Sequence, residues 1–261
     1  MNPEPACADD QVVPVANVKW DIVVVAYNSA DDLERHWAGE HLNGWANIIV
    51  VDNDSKDQSA SISEKFASVT VRSANHGLSR SNNLGAGIGA APNLLFCNPD
   101  VRITPRDLIE LEEELAHRNG VVAPRLVGED GLAQPNARAF PSPWRQISRK
   151  TLPTSRSSRS YLWPQTTSGQ VDWVTGACVA MKRDTFVAIG GWPESIFLYF
   201  EDVELCSRAR DNGFGVYIAE HVRVLHSWKQ DSKQIISSAG LNHLRSAFKY
   251  YRRRPRELFR V

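Results

Sequence analysis

The chain has 261 residues, 42% of them hydrophobic, enough for one large α/β domain or two small ones with a buried core. Lysine plus arginine equals aspartate plus glutamate at 30 each, so no global field draws the protein to nucleic acid or to a membrane. Basic residues do gather in two places, Arg145 to Arg159 and Arg245 to the end, and an electrostatic partner belongs at one of them.

The four cysteines, Cys7, Cys97, Cys178 and Cys206, show no C-x-x-C spacing. That suits reduced, packed thiols in a cytosolic protein better than a disulfide framework or a zinc site. The opening residues carry Glu4, Asp9 and Asp10 without a basic start or an apolar core, so no signal peptide is expected, and no apolar run reaches the length of a membrane span. A soluble or at most peripheral protein is the expectation.

Residues up to about Val18 are aperiodic and read as a loose arm. Trp20 to Ala26 is a β-branched run that breaks at Tyr27-Asn28-Ser29, and Asp31 and Asp32 then mark a helix start with Ser29 as its cap. Ile48 to Val51 repeats the pattern, followed by the polar turn Asp52-Asn53-Asp54-Ser55, a helix from Asp57 to Phe66 and a short strand at Val69 to Val71. Polar residues thus recur at successive strand ends, which is what a nucleotide pocket at the carboxyl edge of a parallel sheet requires.

A helix is expected over Ser79 to Ala91. Its Gly85-Ala86-Gly87-Ile88-Gly89 run lacks the G-x-G-x-x-G register and does not follow a strand, so it reads as close helix-to-sheet packing and not as a dinucleotide site. No G-x-x-x-x-G-K-[ST] loop occurs, leaving phosphate to metal, side chains or other backbone amides. Leu94 to Cys97 reads as a doubly buried strand that ends at Asn98-Pro99-Asp100. Alone, that tripeptide reads first as a turn and only second as a cation site, since all three residues are good turn formers.

Thr104 should cap a helix with Leu108, Leu111 and Leu115 on one face, and Gly120 to Pro124 should be a strand. From Gly128 to about Gly169 the pattern dissolves into loops. Order returns at Val171 to Met181, with a helix from Arg183 to Ile189 ended by Gly190-Gly191. Ile196 to Arg208 runs aromatic residues into Glu201-Asp202 at a helix start, where acids also complement the helix dipole. Gly213 to Ala219 and Val222 to Leu225 read as two strands, and His226 follows. Ser237 to Arg253 forms the last helix, with Leu241, Leu244, Phe248 and Tyr251 on one stripe. Packing on its own domain, contact with anionic lipid and a homodimer contact are its three readings.

With these segments in place the chain resembles the family 2 glycosyltransferases of the GT-A fold, within them the rhamnosyltransferase-like branch. The residues carrying the match are Val24 to Ser29, Val50 to Ser55, Asn75 to Gly85, Asn98 to Val101, Asp172 to Ala177, and Phe197 to Cys206, in that order. The resemblance implies a single α/β domain of GT-A type, Rossmann-like, with a mostly parallel central sheet flanked by helices and a C-terminal amphipathic helix. It divides the chain into an arm (1–18), a donor half (19–127), a mobile loop region (128–170), an acceptor and catalytic half (171–236) and a basic helix and tail (237–261).

It further implies that Tyr27, Asn28 and Asp52, with Asn53 beside them, contact the base and ribose of a nucleotide-sugar donor. Arg80 and Asn82 would lie near the nucleotide or its diphosphate. Asp100 would bear a divalent metal, Mg2+ or Mn2+, with His226 as second ligand. The family's first acid is Asn98 here, an amide that can hydrogen-bond a ribose hydroxyl but supplies no charge, so metal affinity should be lower. Asp202 would be the general base of an inverting transfer, Glu201 would orient the acceptor or raise the proton affinity of Asp202, and Asp172 and Trp173 would be acceptor contacts.

The implied donor is a nucleoside-diphosphate sugar, dTDP-rhamnose first, and the implied acceptor a saccharide or lipid-linked saccharide in bacterial surface polysaccharide synthesis. Action would be cytoplasmic, at the inner membrane face if the basic helix touches lipid. A sugar nucleotidyltransferase is the first alternative, but its Gly-rich basic loop is missing after the first strand. A non-catalytic binding domain on the same scaffold is the second, and an NAD-dependent oxidoreductase is disfavoured by the missing fingerprint.

Overall fold

A computed structural model describes residues 18–39, 42–140, 169–196, 199–227 and 238–259, with side chains of the last segment described for 245–257. The expected arm, Cys7, the basic cluster Arg145 to Arg159, Phe197, Leu198 and the side chains of Leu241 and Leu244 lie outside the described residues.

Ten strands and seven α-helices are described, in the order β1 (Trp20–Ala26), α1 (Ala30–His36), β2 (Ala46–Asn53), α2 (Ser59–Ser63), β3 (Val69–Ser73), α3 (Leu78–Ile88), β4 (Asn93–Cys97), β5 (Val101–Arg102), α4 (Pro105–His117), β6 (Gly120–Val127), β7 (Ala137–Arg138), β8 (Trp173–Val174), β9 (Cys178–Lys182), α5 (Arg183–Ala188), α6 (Glu201–Asp211), β10 (Gly215–His226) and α7 (Ser238–Arg253). One eight-stranded sheet runs β3-β2-β1-β4-β9-β6-β10-β5, and β7 pairs with β8 apart from it. β3, β2, β1 and β4 are mutually parallel, β9 enters antiparallel between β4 and β6, and β10 runs parallel to β6.

Every residue of β1 and of β2 is buried. These strands carry continuous β-branched runs because helices cover both faces, and each buried Val or Ile contributes about 1.5 to 3 kcal/mol. A Cβ on Gly85 would stand 2.4 Å from Val23 Cγ1, so the glycine in α3 is there to let the helix lie close on β1. Thr104 caps α4 as expected, in a box closed by Asp107 with Pro105 in the first turn.

Four expectations are corrected. Ser29 does not cap α1 with its side chain; its hydroxyl donates to Tyr27 O, and Asp57 accepts from Ala30 N at 3.0 Å instead. The helix after Asp57 is one short turn, Ser59–Ser63, because the chain must reach β3 within a few residues. The two late strands are one strand, β10, whose register to β6 shifts between Ala219 and Arg223, a bulge that the sequence break concealed. In α7 Tyr250 is fully buried while Phe248 is 68% exposed, so the inward stripe is turned from the one expected.

Candidate active site

The topology brings the chemistry to one edge of the sheet. β1, β2, β3, β4, β6 and β10 all present their carboxyl ends there, and β9, being antiparallel, presents its amino end, with Cys178 opposite Cys97. The residues following β4, preceding β9 and ending β10 therefore meet by register alone. Asn98, Leu126, Gln134, Arg138, Gly176, Ala177, Tyr199, Glu201, Asp202 and His226 line a cleft of roughly 330 Å³ at this edge.

The Asn98-Pro99-Asp100 turn is held by three distant segments. Asn98 N donates to Ala177 O at 2.9 Å, Trp37 Nε1 donates to Pro99 O at 2.9 Å, and Ser227 N donates to Asp100 O at 2.9 Å. His226 pairs with Val101 in the β10–β5 ladder, and this places His226 Nε2 3.4 Å from Asp100 Oδ2. One carboxylate and one imidazole pointing at the same space suit a divalent cation, and the nitrogen donor favours Mn2+ over Mg2+. Among the described residues no group of three His, Cys, Asp or Glu side chains forms a complete cage. Such a cation would take its other ligands from phosphate oxygens and water.

Behind this pair His36 packs its ring, 3% exposed, so that Nε2 lies 3.0 Å from Ser227 Oγ, whose hydroxyl donates to Glu129 Oε1 at 3.0 Å. The end of α1 thus secures both chain segments that carry the pair.

On the opposite wall α6 starts with Glu201 and Asp202 immediately after Tyr199 and Phe200, two successive non-glycine residues in the left-handed region (φ 65° and 68°). Such backbone costs about 1 to 3 kcal/mol per residue and persists only where the surroundings enforce it. Here the Phe200 ring lies 5.4 Å from Tyr250 and 6.0 Å from Tyr251, both on α7. Tyr250 OH lies 3.1 Å from Ser207 Oγ, and Arg254 donates to Glu204 (2.7 Å) and Asp211 (2.6 Å). The last helix is a brace for the helix that carries the acid pair.

Burial pushes the Asp202 carboxyl up, while the Val203 N–H (2.8 Å), the Arg138 guanidinium and the Gly176 N–H (3.3 Å) pull it back. Burial and the Asp202 charge push Glu201 up to about 8, and Glu201 Oε2 has no hydrogen-bond partner. Two adjacent carboxyls in this buried wall titrate as a coupled pair, and a second negative charge there is disfavoured. A half-buried carboxylate with raised proton affinity is what a general base requires.

The donor-side residues form a second group. Asp52, Asp54, Ser55, Asp57 and Arg72 line a hollow of roughly 530 Å³ at the ends of β2 and β3. Asp52 is 4% exposed and its Oδ1 has no partner, an acceptor without a donor. Asn53 is fully engaged, donating to Asn75 Oδ1 and accepting from Ser81 Oγ, each at 3.0 Å. Asn28 Oδ1 accepts from Lys56 N at 2.8 Å. Tyr27 stands 52% exposed beside them; Arg80 is exposed on the first turn of α3, and Asn82 is buried one face away.

Asp172 and Trp173 do not line the cleft. The Asp172 carboxylate accepts from Phe140 N at 2.7 Å, and the Trp173 indole donates to Ala139 O at 2.8 Å from a buried site. Both side chains are spent on fixing residues 138–140 beside β8. In return Trp173 supports Arg138, whose guanidinium lies 5.1 Å from its ring centre and reaches the cleft. Arg138 and Gln134 were missed in the sequence because they sit in an aperiodic stretch; the β7–β8 pairing brings Arg138 to the site, and a backbone bond to Leu126 brings Gln134.

A mixed sheet of this order is the GT-A fold of nucleotide-sugar glycosyltransferases, and the acid–imidazole pair and the Glu201–Asp202 pair both lie at its carboxyl edge. Residues 21–183, more than half of the chain, match Glycosyl transferase family 2, and the chain belongs to that family. It is 27% identical over 245 residues to the low-salt glycan biosynthesis hexosyltransferase Agl10 of Haloferax volcanii, covering 90% of this chain and 76% of the relative. It is 27% identical over 229 residues to the N-acetylglucosaminyl-diphospho-decaprenol L-rhamnosyltransferase of Mycobacterium tuberculosis, covering 78% and 75%. The mannosyltransferase PcManGT of Pyrobaculum calidifontis, solved with GDP-Man and Mn2+, shares the fold at a TM-score of 0.56 and 15% identity, over 85% of this chain and 61% of that one. No helix among the described residues is long and apolar enough to cross a membrane.

Proposed function

We propose that the protein is an inverting glycosyltransferase moving L-rhamnose from dTDP-rhamnose to a hydroxyl of a lipid-linked saccharide during surface glycan synthesis. The single observation supporting the reaction type is that Asp202 and His226 line one cleft, with the Asp100 carboxylate 3.4 Å from the His226 ring. The choice of sugar and acceptor draws on the likeness to the mycobacterial rhamnosyltransferase.

In this reading Tyr27 offers an exposed ring to the base, and Asp52 Oδ1 accepts from the base or ribose. Asn28 and Asn53 hold the turns that shape that site, and Asn98 at the cleft meets the ribose or sugar. Arg80, exposed on the first turn of α3, would meet the nucleotide or diphosphate, and Asn82, buried on another face of that helix, would not. Asp100 and His226 would hold the divalent cation, which when bound neutralises charge on the departing diphosphate. Asp202 removes the acceptor proton as that oxygen attacks the anomeric carbon from the side opposite the leaving group, which inverts the centre. Glu201, protonated, keeps a second negative charge away from the incoming hydroxyl.

The exposed Arg245, Arg252 and Phe248 on α7 give a basic, partly apolar face suited to an anionic membrane that carries the acceptor. Lys249 and Arg254 are tied down by Ser195, Glu204 and Asp211, so they belong to the fold and not to that face.

The test is a transfer assay with dTDP-, UDP- and GDP-sugars on a lipid-diphosphate-linked acceptor, with the anomeric configuration of the product read by NMR. Rhamnose transfer with inversion is expected. A product that retains the donor configuration contradicts the mechanism, and turnover with UDP- or GDP-sugars alone corrects the donor.

A further inference from the structure

We propose that Gln134 is a positioning residue for the cation site: it locks the His226 ring in the Nδ1–H form and leaves the bare Nε2 facing Asp100. The inference rests on the reading that Asp100 and His226 hold a divalent cation, and it assigns the part played by a residue outside the ligand pair.

The argument is one of donors and acceptors. Gln134 Nε2 donates to the backbone carbonyl of His226 at 2.9 Å, and a carbonyl oxygen can only accept, so the amide end of Gln134 is fixed there. The opposite end, Oε1, then lies 2.6 Å from His226 Nδ1. An amide oxygen also can only accept, so Nδ1 must carry the hydrogen. In a neutral ring Nε2 is left with its lone pair, and it is this atom that stands 3.4 Å from Asp100 Oδ2.

The clamp is built into the fold. Gln134 N donates to Leu126 O and Asn136 N donates to Gln134 O, at 2.9 and 2.8 Å, which anchors residue 134 beside the end of β6. Ala133 bridges Val127 on the same loop. The side chain therefore reaches residue 226 from a fixed platform and grips it at both ring and backbone. An outer hydrogen bond of this kind orients a metal-binding histidine, and its loss typically costs 10- to 100-fold in metal affinity.

The test uses the full chain with labelled histidine, comparing wild type, Gln134→Leu and Gln134→Glu. Long-range proton–nitrogen NMR of the metal-free protein at pH 8, with His226 assigned by its loss in His226→Gln, reports which ring nitrogen carries the proton. Mn2+ affinity in the presence of dTDP or UDP is measured by electron paramagnetic resonance.

Wild type should show Nδ1 protonated. Gln134→Leu should lose that signature and bind Mn2+ about 10- to 100-fold more weakly. Gln134→Glu, whose carboxylate still accepts from Nδ1–H although it sets an oxygen against the His226 carbonyl, should keep the Nδ1–H signature, which a merely structural defect would not allow. A wild-type ring protonated on Nε2, or a Leu variant with wild-type ring signals and Mn2+ affinity, overturns the role of Gln134. Wild-type protein that binds no Mn2+ with either nucleotide overturns the cation reading itself, and the role assigned to Gln134 with it.

Discussion

The two halves of the sheet build their parts of the site by different means. On the β1–β4 side, polar residues reach the carboxyl edge because continuous apolar strands stop there, so strand topology carries Asp52 and Asn98 to it. On the β6–β10 side the strands are interrupted, and distant side chains do the placing. Gln134 grips His226, Arg125 pairs with Glu220 across the bulge, and Tyr250 and Arg254 brace the helix that bears Asp202. The β1–β4 side should therefore tolerate side-chain changes that the β6–β10 side cannot.

The sharpest break is at the base. Asp202→Asn should lower turnover about a thousandfold or more, with nucleoside-diphosphate affinity within about twofold of wild type, because the base proposed here is used in the transition state only. Equal loss of nucleotide affinity and turnover would show the halves are not separable in this way.

The brace comes next. Arg254→Ala strands Glu204, 5% exposed, with only the 3.4 Å contact from Arg208, and should cost about 3 kcal/mol of stability in denaturant titration. Tyr250→Ala removes a fully buried ring and should cost about 3 to 5 kcal/mol. In both variants turnover should fall more than donor binding does, since Phe200 and Tyr199 lose their restraint. A variant destabilised by this amount with unchanged turnover would detach α7 from the site.

A smaller effect concerns pH. Glu201 binds its proton more tightly in the folded chain, up to about 8, than in the unfolded chain near 4.5. Between those values the folded state holds more protons, so this group's contribution to stability falls as pH rises. Melting temperature should decline from about pH 5 to about pH 8 in wild type and decline less in Glu201→Gln. Parallel curves for the two proteins would mean that Glu201 ionises normally.

What the sequence disclosed follows the same division. β1, β2 and β4 announce themselves by apolar runs with polar stops, and α4 by Thr104, Pro105 and its leucine stripe, because burial and capping are local signals. The acid pair, Asp100 and His226 were reachable by the order of their motifs. Gln134 and Arg138 were not, since nothing local marks Gln134, whose partner His226 lies 92 residues away, or Arg138, which leans on Trp173 across the β7–β8 pair. Trp173 was misassigned for a related reason: an aromatic before a glycine-containing turn has the same appearance whether it faces a sugar or supports an arginine, and only the β7–β8 pairing decides. The inward face of α7 was misjudged because an amphipathic stripe has width, and Tyr250 and Phe248 both border it.

The most direct test of the shared cleft is thermal unfolding with dTDP, UDP and GDP, each with and without Mn2+, in wild type and in Asp100→Asn. A ligand that binds only the folded state raises the melting temperature. A nucleotide that stabilises wild type markedly more with Mn2+ than without, and loses that gain in Asp100→Asn, is the predicted result. Equal stabilisation with and without Mn2+ in both proteins, or none with any nucleotide, would contradict the account.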